Sequence, residues 1–131
     1  DGYAMKTALN KGFKVCIISG GTNQAVKSRL AALGIEDIYL GAHNKIQQYS
    51  EIIEKYNLSS EEVLYMGDDI PDVPVMQKVG MPACPNDAVP EVQKNSKYIS
   101  NLKGGEGCVR DVIEQVLKVQ GKWDDYFDAT L

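Results

Sequence analysis

Polar and charged side chains that could hold a phosphate and a cation follow three short apolar stretches of the chain. The first stretch ends in Ser19-Gly20-Gly21, the second is followed by Lys45, and the third ends in Asp68-Asp69, with Asp72 close behind. A hydroxyl and glycine-rich backbone can donate to phosphate oxygens, and an ammonium group can neutralise them. Carboxylates are the usual protein ligands of Mg2+. Together these residues predict a site for a phosphate and Mg2+.

The segment Leu64 to Asp72, LYMGDDIPD, is the stretch around which the chain is organised. Val63 to Met66 are four apolar or aromatic residues before the turn signal at Gly67, which is typical of a buried strand. Acids directly after such a strand lie at the sheet edge where open α/β sheets bind ligands. The alternative interpretation is that these acids only cap the next helix. A cap needs one acid, so the cluster favours a cation site.

Strand and helix patterns alternate along the chain, as they do in a parallel sheet flanked by helices. In that arrangement Ser19, Lys45 and Asp68 project to the same edge of the sheet. The strands are predicted at 13–18, 38–40, 63–66, 81–84 and 98–99, and the helices at 3–10, 25–33, 46–56, 74–79 and 89–95. A last helix follows Gly104 to Gly107, and its predicted buried stripe consists of Val109, Val112, Ile113, Val116 and Leu117.

Composition and charge narrow the class of protein. A chain of 131 residues with 44% hydrophobic content is enough for one domain with a core. Its 14 basic and 18 acidic residues include no basic run, which argues against nucleic acid and anionic membranes as partners. No apolar stretch approaches membrane length. Cys16, Cys84 and Cys108 have no CxxC spacing, so we expect reduced core thiols and a cytoplasmic location.

The order SGG, GAHNK and GDDIPD resembles motifs two, three and four of the haloacid dehalogenase superfamily of phosphotransferases. Further segments are similar to the small capless phosphatases that hydrolyse 3-deoxy-D-manno-octulosonate 8-phosphate in lipopolysaccharide precursor synthesis: Asp1-Gly2-Tyr3, ALGI before Tyr39, MGDDIPDVPVM with VGMP after it, and GGEGCVRDVIEQVL. The resemblance implies a three-layer Rossmann-like α/β core, with a mostly parallel sheet flanked by helices and no cap domain. This core would cover residues 1–121, followed by a C-terminal tail at 122–131.

The resemblance also implies a mechanism and a set of roles. An aspartyl nucleophile attacks the phosphorus with the help of Mg2+, and water then hydrolyses the aspartyl-phosphate. The roles carried over are phosphate binding by Ser19 with the backbone of Gly20, contact with nucleophile and phosphate by Lys45, Mg2+ ligation by Asp68 with Asp69 in support, and fixing of the loop or of Lys45 by Asp72. The candidates for the substrate mouth or a subunit contact are Asp1, Tyr3, Gly21 and Arg110, and a homotetramer is expected.

One element of the family pattern is not found in these 131 residues. Family members carry a DxDG-type first motif at the end of an opening strand, and its first acid is the nucleophile. That strand would lie between the strands at 15–18 and 63–66, where its loss leaves two buried edges unpaired. We therefore expect the nucleophile upstream of Asp1, and we expect the 131 residues alone to be inactive.

Two other functions remain open from the sequence. One is a phosphatase for a nine-carbon sugar acid 9-phosphate, because relatives share the phosphate machinery and differ around positions such as Gly21. The other is a phosphatase-like module that lacks the nucleophile and serves only in oligomerisation or binding. A dinucleotide-binding domain is disfavoured because no GxGxxG follows a strand. The single histidine, His43, has no His or Cys neighbour and is predicted to be a solvated loop residue.

Overall fold

A computed structural model of the chain describes residues 2–123, in which helices and strands alternate as the sequence predicts. Short 3-10 turns occupy Ser60–Glu62 and Ile70–Asp72, on either side of the third strand. The helices are α1 (Gly2–Asn10), α2 (Gln24–Ala32), α3 (Lys45–Tyr56), α4 (Val73–Met76), α5 (Pro90–Lys94) and α6 (Cys108–Val119). The strands are β1 (Cys16–Ile18), β2 (Asp37–Tyr39), β3 (Leu64–Met66), β4 (Met81–Cys84) and β5 (Tyr98–Ile99).

All strand pairs are parallel, and they form two groups. β1 pairs with β2 so that Ile17 lies opposite Ile38, and β4 lies between β3 and β5. Among residues 2–123, β1 and β3 have no backbone hydrogen bonds to each other. Each of them therefore has one edge without a strand partner in the described part of the chain. The fold is an α/β fold with parallel sheets flanked by helices and without a cap domain.

The core contains two hydrophobic clusters, and the first of them joins the two groups of strands. In one cluster, Tyr49, Val75 and Val79 are buried, with Ile18 of β1 and Tyr65 of β3 packed against them. In the other, the buried residues are Met76, Cys84, Ala88 and Val92, and Tyr65 packs against these as well. The side chains of β1 and β3 thus share one core although their backbones are not paired.

Local sequence signals fix where the helices around the site begin and end. Asn23 is the N-cap of α2, and its side chain accepts hydrogen bonds from the backbone N–H groups of Ala25 and Val26. The chain leaves α2 through Gly34, whose φ of +98° suits glycine. Ser59 and Glu62 form a capping box directly before β3. These signals place the carboxyl ends of the strands next to the loops that carry the predicted site residues.

Two predictions of burial are wrong in detail. Val109 was assigned to the buried stripe of the last helix, but it is 37% exposed, and Cys108 is buried in its stead. The helix begins at Cys108, directly after Gly107 with a φ of +96°, as predicted, and its packing on α1 decides which face is covered. The spacing of Ala25, Val26, Leu30 and Leu33 predicts an apolar face on the second helix, but no residue of α2 is buried. α2 contacts β2 of the two-stranded β1–β2 sheet, and so small a sheet offers a helix little surface to pack on.

The thiols are free, and Cys84 and Cys108 are buried. Cys16 is only half-buried, and its sulfur lies 4.0 Å from a carboxylate oxygen of Asp37. The prediction of a core thiol is therefore wrong for Cys16. Burial, and then the charge of Asp37, raise the pKa of Cys16 to about 11. None of the helices between residues 2 and 123 has the length and apolar character to span a bilayer. Asp1 and residues 124–131 of the predicted tail lie outside the described residues.

Candidate functional site

The carboxylate of Asp72 is the centre of the site, and four donors bind it. Its Oδ1 accepts from Lys45 Nζ at 2.9 Å and from the Tyr65 hydroxyl at 2.6 Å. Its Oδ2 accepts from the backbone N–H groups of Asp68 at 2.9 Å and Asp69 at 3.2 Å. The Asp72 side chain is 3% exposed and that of Lys45 is 15% exposed. Asp72 therefore joins the loop after β3 to the first residue of α3.

Gly67 lets the chain after β3 come this close to Asp72. A Cβ atom on Gly67 would lie 2.5 Å from Cβ of Asp72 and 2.8 Å from the sulfur of Met76, which real side chains do not tolerate. The 3-10 turn that follows begins at Ile70 and has Pro71 in its first turn. The side chain of Asp69 caps this turn and accepts from Ile70 N–H at 2.7 Å. The sequence GDDIPD thus folds back on itself, and Asp72 points under its own loop.

The two neighbouring acids have opposite electrostatic surroundings. Burial raises the pKa of Asp72, but hydrogen bonds from Tyr65, Lys45 and the loop backbone outweigh burial and hold this pKa below its usual value. For Asp68, partial desolvation and then the charge of Asp72 raise the pKa above its usual value. Desolvation and the nearby Asp72 carboxylate also raise the pKa of Tyr65. Asp72 is therefore a satisfied anion, whereas the charge of Lys45 only partly offsets desolvation and the repulsion of Asp72 at Asp68.

The loop after β1 is tied to the loop after β2 by backbone hydrogen bonds. The Ser19 carbonyl accepts from Ala42 N–H at 2.9 Å, and the Gly21 carbonyl accepts from Gly41 N–H at 2.8 Å. The hydroxyl oxygen of Ser19 accepts from Gly21 N–H at 3.1 Å. Gly41 has a φ of +63°, so its tight turn suits glycine. These bonds carry Ser19, Gly20 and Gly21 next to the segment that ends in Lys45.

The structure therefore connects the predicted residues through one continuous set of contacts. The Ser19 loop binds the turn at Ala42, Lys45 follows that turn, and Lys45 binds Asp72 beneath the Asp68 loop. The positive end of α2 lies directly after the Ser19 loop, with Asn23 as its cap. A phosphate bound here would meet backbone N–H groups, a hydroxyl and an ammonium group at the carboxyl ends of neighbouring strands.

The chemistry of the acids fits one carboxylate ligand for Mg2+ from the described residues. All four acceptor positions of Asp72 are filled, and Asp69 uses its side chain as a cap, which leaves Asp68 with an exposed carboxylate. Residues 2–123 contain no group of three or more His, Cys, Asp or Glu that could hold a metal. Mg2+ commonly takes one or two carboxylates and completes its shell with water and phosphate. Asp68 is suited to that role, and Asp69 less so.

The remaining candidates lie at different places in the fold. Tyr3 lies in α1, which packs on α6, and its carbonyl accepts from the Thr7 hydroxyl. Gly21 is exposed in the loop after β1. Arg110 lies on α6 and donates to Glu114 on the same helix at 2.9 Å. His43 is exposed in the loop before α3, as predicted. Asp1 lies outside the described residues.

Tyr65 is the site residue that sequence reasoning missed. It was assigned to the buried strand β3 as an apolar residue, and its ring does pack in the core. The hydroxyl of a tyrosine in a buried strand needs a hydrogen-bond partner. This requirement is the feature of the sequence that could have indicated a role for Tyr65 in the site. The partner, Asp72, comes seven residues later on the inward-folded loop.

Comparison with known proteins gives a consistent result. A family model described as haloacid dehalogenase-like hydrolase matches residues 4–80. The chain is 40% identical over 125 residues to the 3-deoxy-D-manno-octulosonate 8-phosphate phosphatase of Salmonella typhi. The match covers 95% of this chain, and the chain spans 66% of the length of that curated relative.

Solved structures show the same similarity in three dimensions. The Yersinia pestis 3-deoxy-D-manno-octulosonate 8-phosphate phosphatase matches with a TM-score of 0.91 at 33% identity, covering 94% of this chain and 66% of that one. The enzyme of the same description from Moraxella catarrhalis, in complex with magnesium ion, phosphate ion and a KDO molecule, matches with a TM-score of 0.93 at 28% identity. That match covers 97% of this chain and 73% of the other.

Proposed function

The chain belongs to the haloacid dehalogenase-like hydrolases, and from this premise we propose that it forms most of a Mg2+-dependent phosphatase for 3-deoxy-D-manno-octulosonate 8-phosphate. The observation that carries the proposal is the contact of Lys45 with Asp72, which joins the loop after β2 to the acidic loop after β3. This contact brings a cation for the phosphate next to an acid for the metal. The similarity to curated relatives described as phosphatases for this compound supports the choice of substrate.

The roles of the described residues follow from their positions. The Ser19 hydroxyl and the N–H group of Gly20 bind the phosphate oxygens, because they lie in a glycine-rich loop before the positive end of α2. Lys45 neutralises the phosphate, and Asp72 holds the lysine in place. Asp68 is the carboxylate that holds Mg2+, with Asp69 supporting the loop. When bound, Mg2+ would neutralise charge on the phosphoryl oxygens and orient them.

We further propose that the nucleophile is carried by a strand between β1 and β3. Both strands have an edge without a partner among residues 2–123, and Ile18 and Tyr65 pack against one cluster. A parallel strand inserted there would end beside Ser19, Lys45 and Asp68. A carboxylate at its end would attack phosphorus, the bond to the sugar oxygen would break, and water would release inorganic phosphate. The 131 residues alone would then lack turnover.

The test is a phosphate-release screen of the complete protein that carries this chain. The substrates are 3-deoxy-D-manno-octulosonate 8-phosphate, a nine-carbon sugar acid 9-phosphate and a simple aryl phosphate, each with Mg2+ and with a chelator. We expect release from the first substrate only with Mg2+, and a large loss in Asp68→Asn. Release that is independent of both Mg2+ and Asp68 would refute the metal site. Preference for the nine-carbon compound would reassign the substrate, and no release would favour a non-catalytic module.

We also propose a cytoplasmic homotetramer. The free thiols support the cytoplasmic location, and two exposed apolar side chains near the site support the assembly. Ile70, on the loop after β3, is 54% exposed, and Leu102, on the loop after β5, is 41% exposed. A neighbouring subunit that covered these residues would also narrow the entrance for a sugar phosphate. Analytical ultracentrifugation of the complete protein, with Leu102→Glu as the disrupting variant, tests this assembly.

A further inference from the structure

Tyr65 belongs to the core by its ring and to the site by its hydroxyl. Its ring packs against both hydrophobic clusters, so its position is set by buried residues on two sides. Its hydroxyl donates to Oδ1 of Asp72 at 2.6 Å, the same oxygen that accepts from Lys45 at 2.9 Å. A rigid donor and a flexible one therefore share a single carboxylate oxygen.

This sharing restricts where the lysine can lie. An ionised carboxylate offers about four acceptor positions, two on each oxygen. The loop N–H groups of Asp68 and Asp69 use Oδ2, which leaves Oδ1 for side chains. Lysine carries a point charge on a long stem and does not choose between acceptor positions by itself. With the Tyr65 hydroxyl on one position of Oδ1, only the other is open to Lys45.

We propose that Tyr65 is a positioning residue that confines the Lys45 ammonium group to the phosphate side of Asp72. The inference rests on the proposed function, since that function assigns the phosphate charge to Lys45. Tyr65 touches neither phosphate nor metal in this role. Tyr65 acts through Asp72. It holds the Asp72 carboxylate in the orientation in which that group binds both the loop N–H groups and Lys45.

The test compares Tyr65→Phe with a matched control in the complete protein. Tyr98 donates to Asp111 at 2.7 Å from strand β5, so Tyr98→Phe removes the same kind of bond outside the site. Phenylalanine keeps the ring in both variants, and we expect both to fold. With Mg2+ present, Tyr65→Phe should lower kcat about tenfold, the loss expected for one hydrogen bond to a charged group. KM should stay within about twofold, because substrate binding keeps its other contacts.

A second readout does not depend on activity. In protein labelled with 15N-lysine, the side-chain signal of Lys45 is assigned by its loss in Lys45→Arg. We expect this signal to shift or broaden in Tyr65→Phe and to stay in place in Tyr98→Phe. An unchanged Lys45 signal in Tyr65→Phe, or an equal change in Tyr98→Phe, would overturn the inference. If no sugar phosphate is hydrolysed, the proposed function fails, and the Lys45 signal still decides whether Tyr65 positions the lysine.

Discussion

The substitution Asp72→Asn tests how much the buried centre of the site contributes to folding. An amide presents its NH2 group either to the N–H groups of Asp68 and Asp69 or to Lys45 and Tyr65, so donors face donors. It also leaves the ammonium of Lys45, which is 15% exposed, without its counter-charge. Removing one partner of a buried pair costs about 3–5 kcal/mol. Because the Lys45 side chain is still partly exposed to water, we expect a value at the lower end of this range, a loss of about 3 kcal/mol in the free energy of unfolding.

The assay is urea unfolding of the complete protein, followed by circular dichroism near neutral pH. Asp37→Asn is the matched control, because Asp37 also binds a lysine, Lys55, at the shorter distance of 2.7 Å. Lys55 is 53% exposed, however, so water solvates its ammonium group once the carboxylate is gone. The loss of unfolding free energy should therefore be smaller than for Asp72→Asn. A loss in Asp37→Asn equal to or larger than that in Asp72→Asn would refute the argument from burial.

The comparison of the native protein with Asp72→Asn also gives a prediction for the pH dependence of stability. The folded-state pKa of Asp72 lies below its unfolded value, so its stabilisation is fully present above the unfolded value and is lost as pH falls through the folded one. The difference in unfolding free energy between the native protein and Asp72→Asn should be constant from neutral pH down to about 4, near the unfolded pKa. It should shrink at lower pH. A difference that already shrinks above this range would contradict the lowered pKa.

Three further changes test other parts of the site. Gly67→Ala places a Cβ 2.5 Å from that of Asp72, so it should displace the loop and lower kcat about a hundredfold. Gly104→Ala is the control, because the nearest neighbour of its Cβ is 3.5 Å away and kcat should not fall. Equal kinetics of the two variants would argue against this reasoning. Asp68→Asn should raise the melting temperature without Mg2+, because it removes repulsion from Asp72, and should abolish the further rise that Mg2+ produces, as measured by calorimetry. Deletion of residues 122–131 should change turnover more than unfolding free energy, and unchanged kinetics would count against a role of the tail at the site.

The sequence predicts the meeting of the site residues because each follows directly after a strand. Once β1, β2 and β3 are recognised, parallel pairing and short loops leave the residues after them little choice of position, and Lys45 and the Asp68 loop do meet. The pairing of Asp72 with Lys45 was one of the two roles considered for that acid. The structure shows that Asp72 contacts both the loop and the lysine.

What the sequence did not predict depends on tertiary geometry. The side of α6 that is buried depends on how this helix packs on α1, and that packing buries Cys108 and leaves Val109 exposed. The hydroxyl of Tyr65 finds its acceptor on a folded-back loop, which no periodicity reveals. The exposed face of α2 depends on how many strands lie beneath it, and this number is a property of the whole sheet.

Two acids four residues apart take different roles because the loop distributes its donors unequally. Asp72 receives four donors, which hold its pKa below the usual value and make it a fixed anion under the loop. Partial desolvation, and then the repulsion of that anion, raise the pKa of Asp68, so a cation close to Asp68 would relieve an unfavourable charge. Pairs of carboxyl groups whose surroundings separate their pKa values are typical of functional sites, since one holds the geometry and the other remains available to a ligand. The network around Asp72 therefore ties down the loop, and it leaves Asp68 as the carboxylate at which we expect Mg2+ to bind.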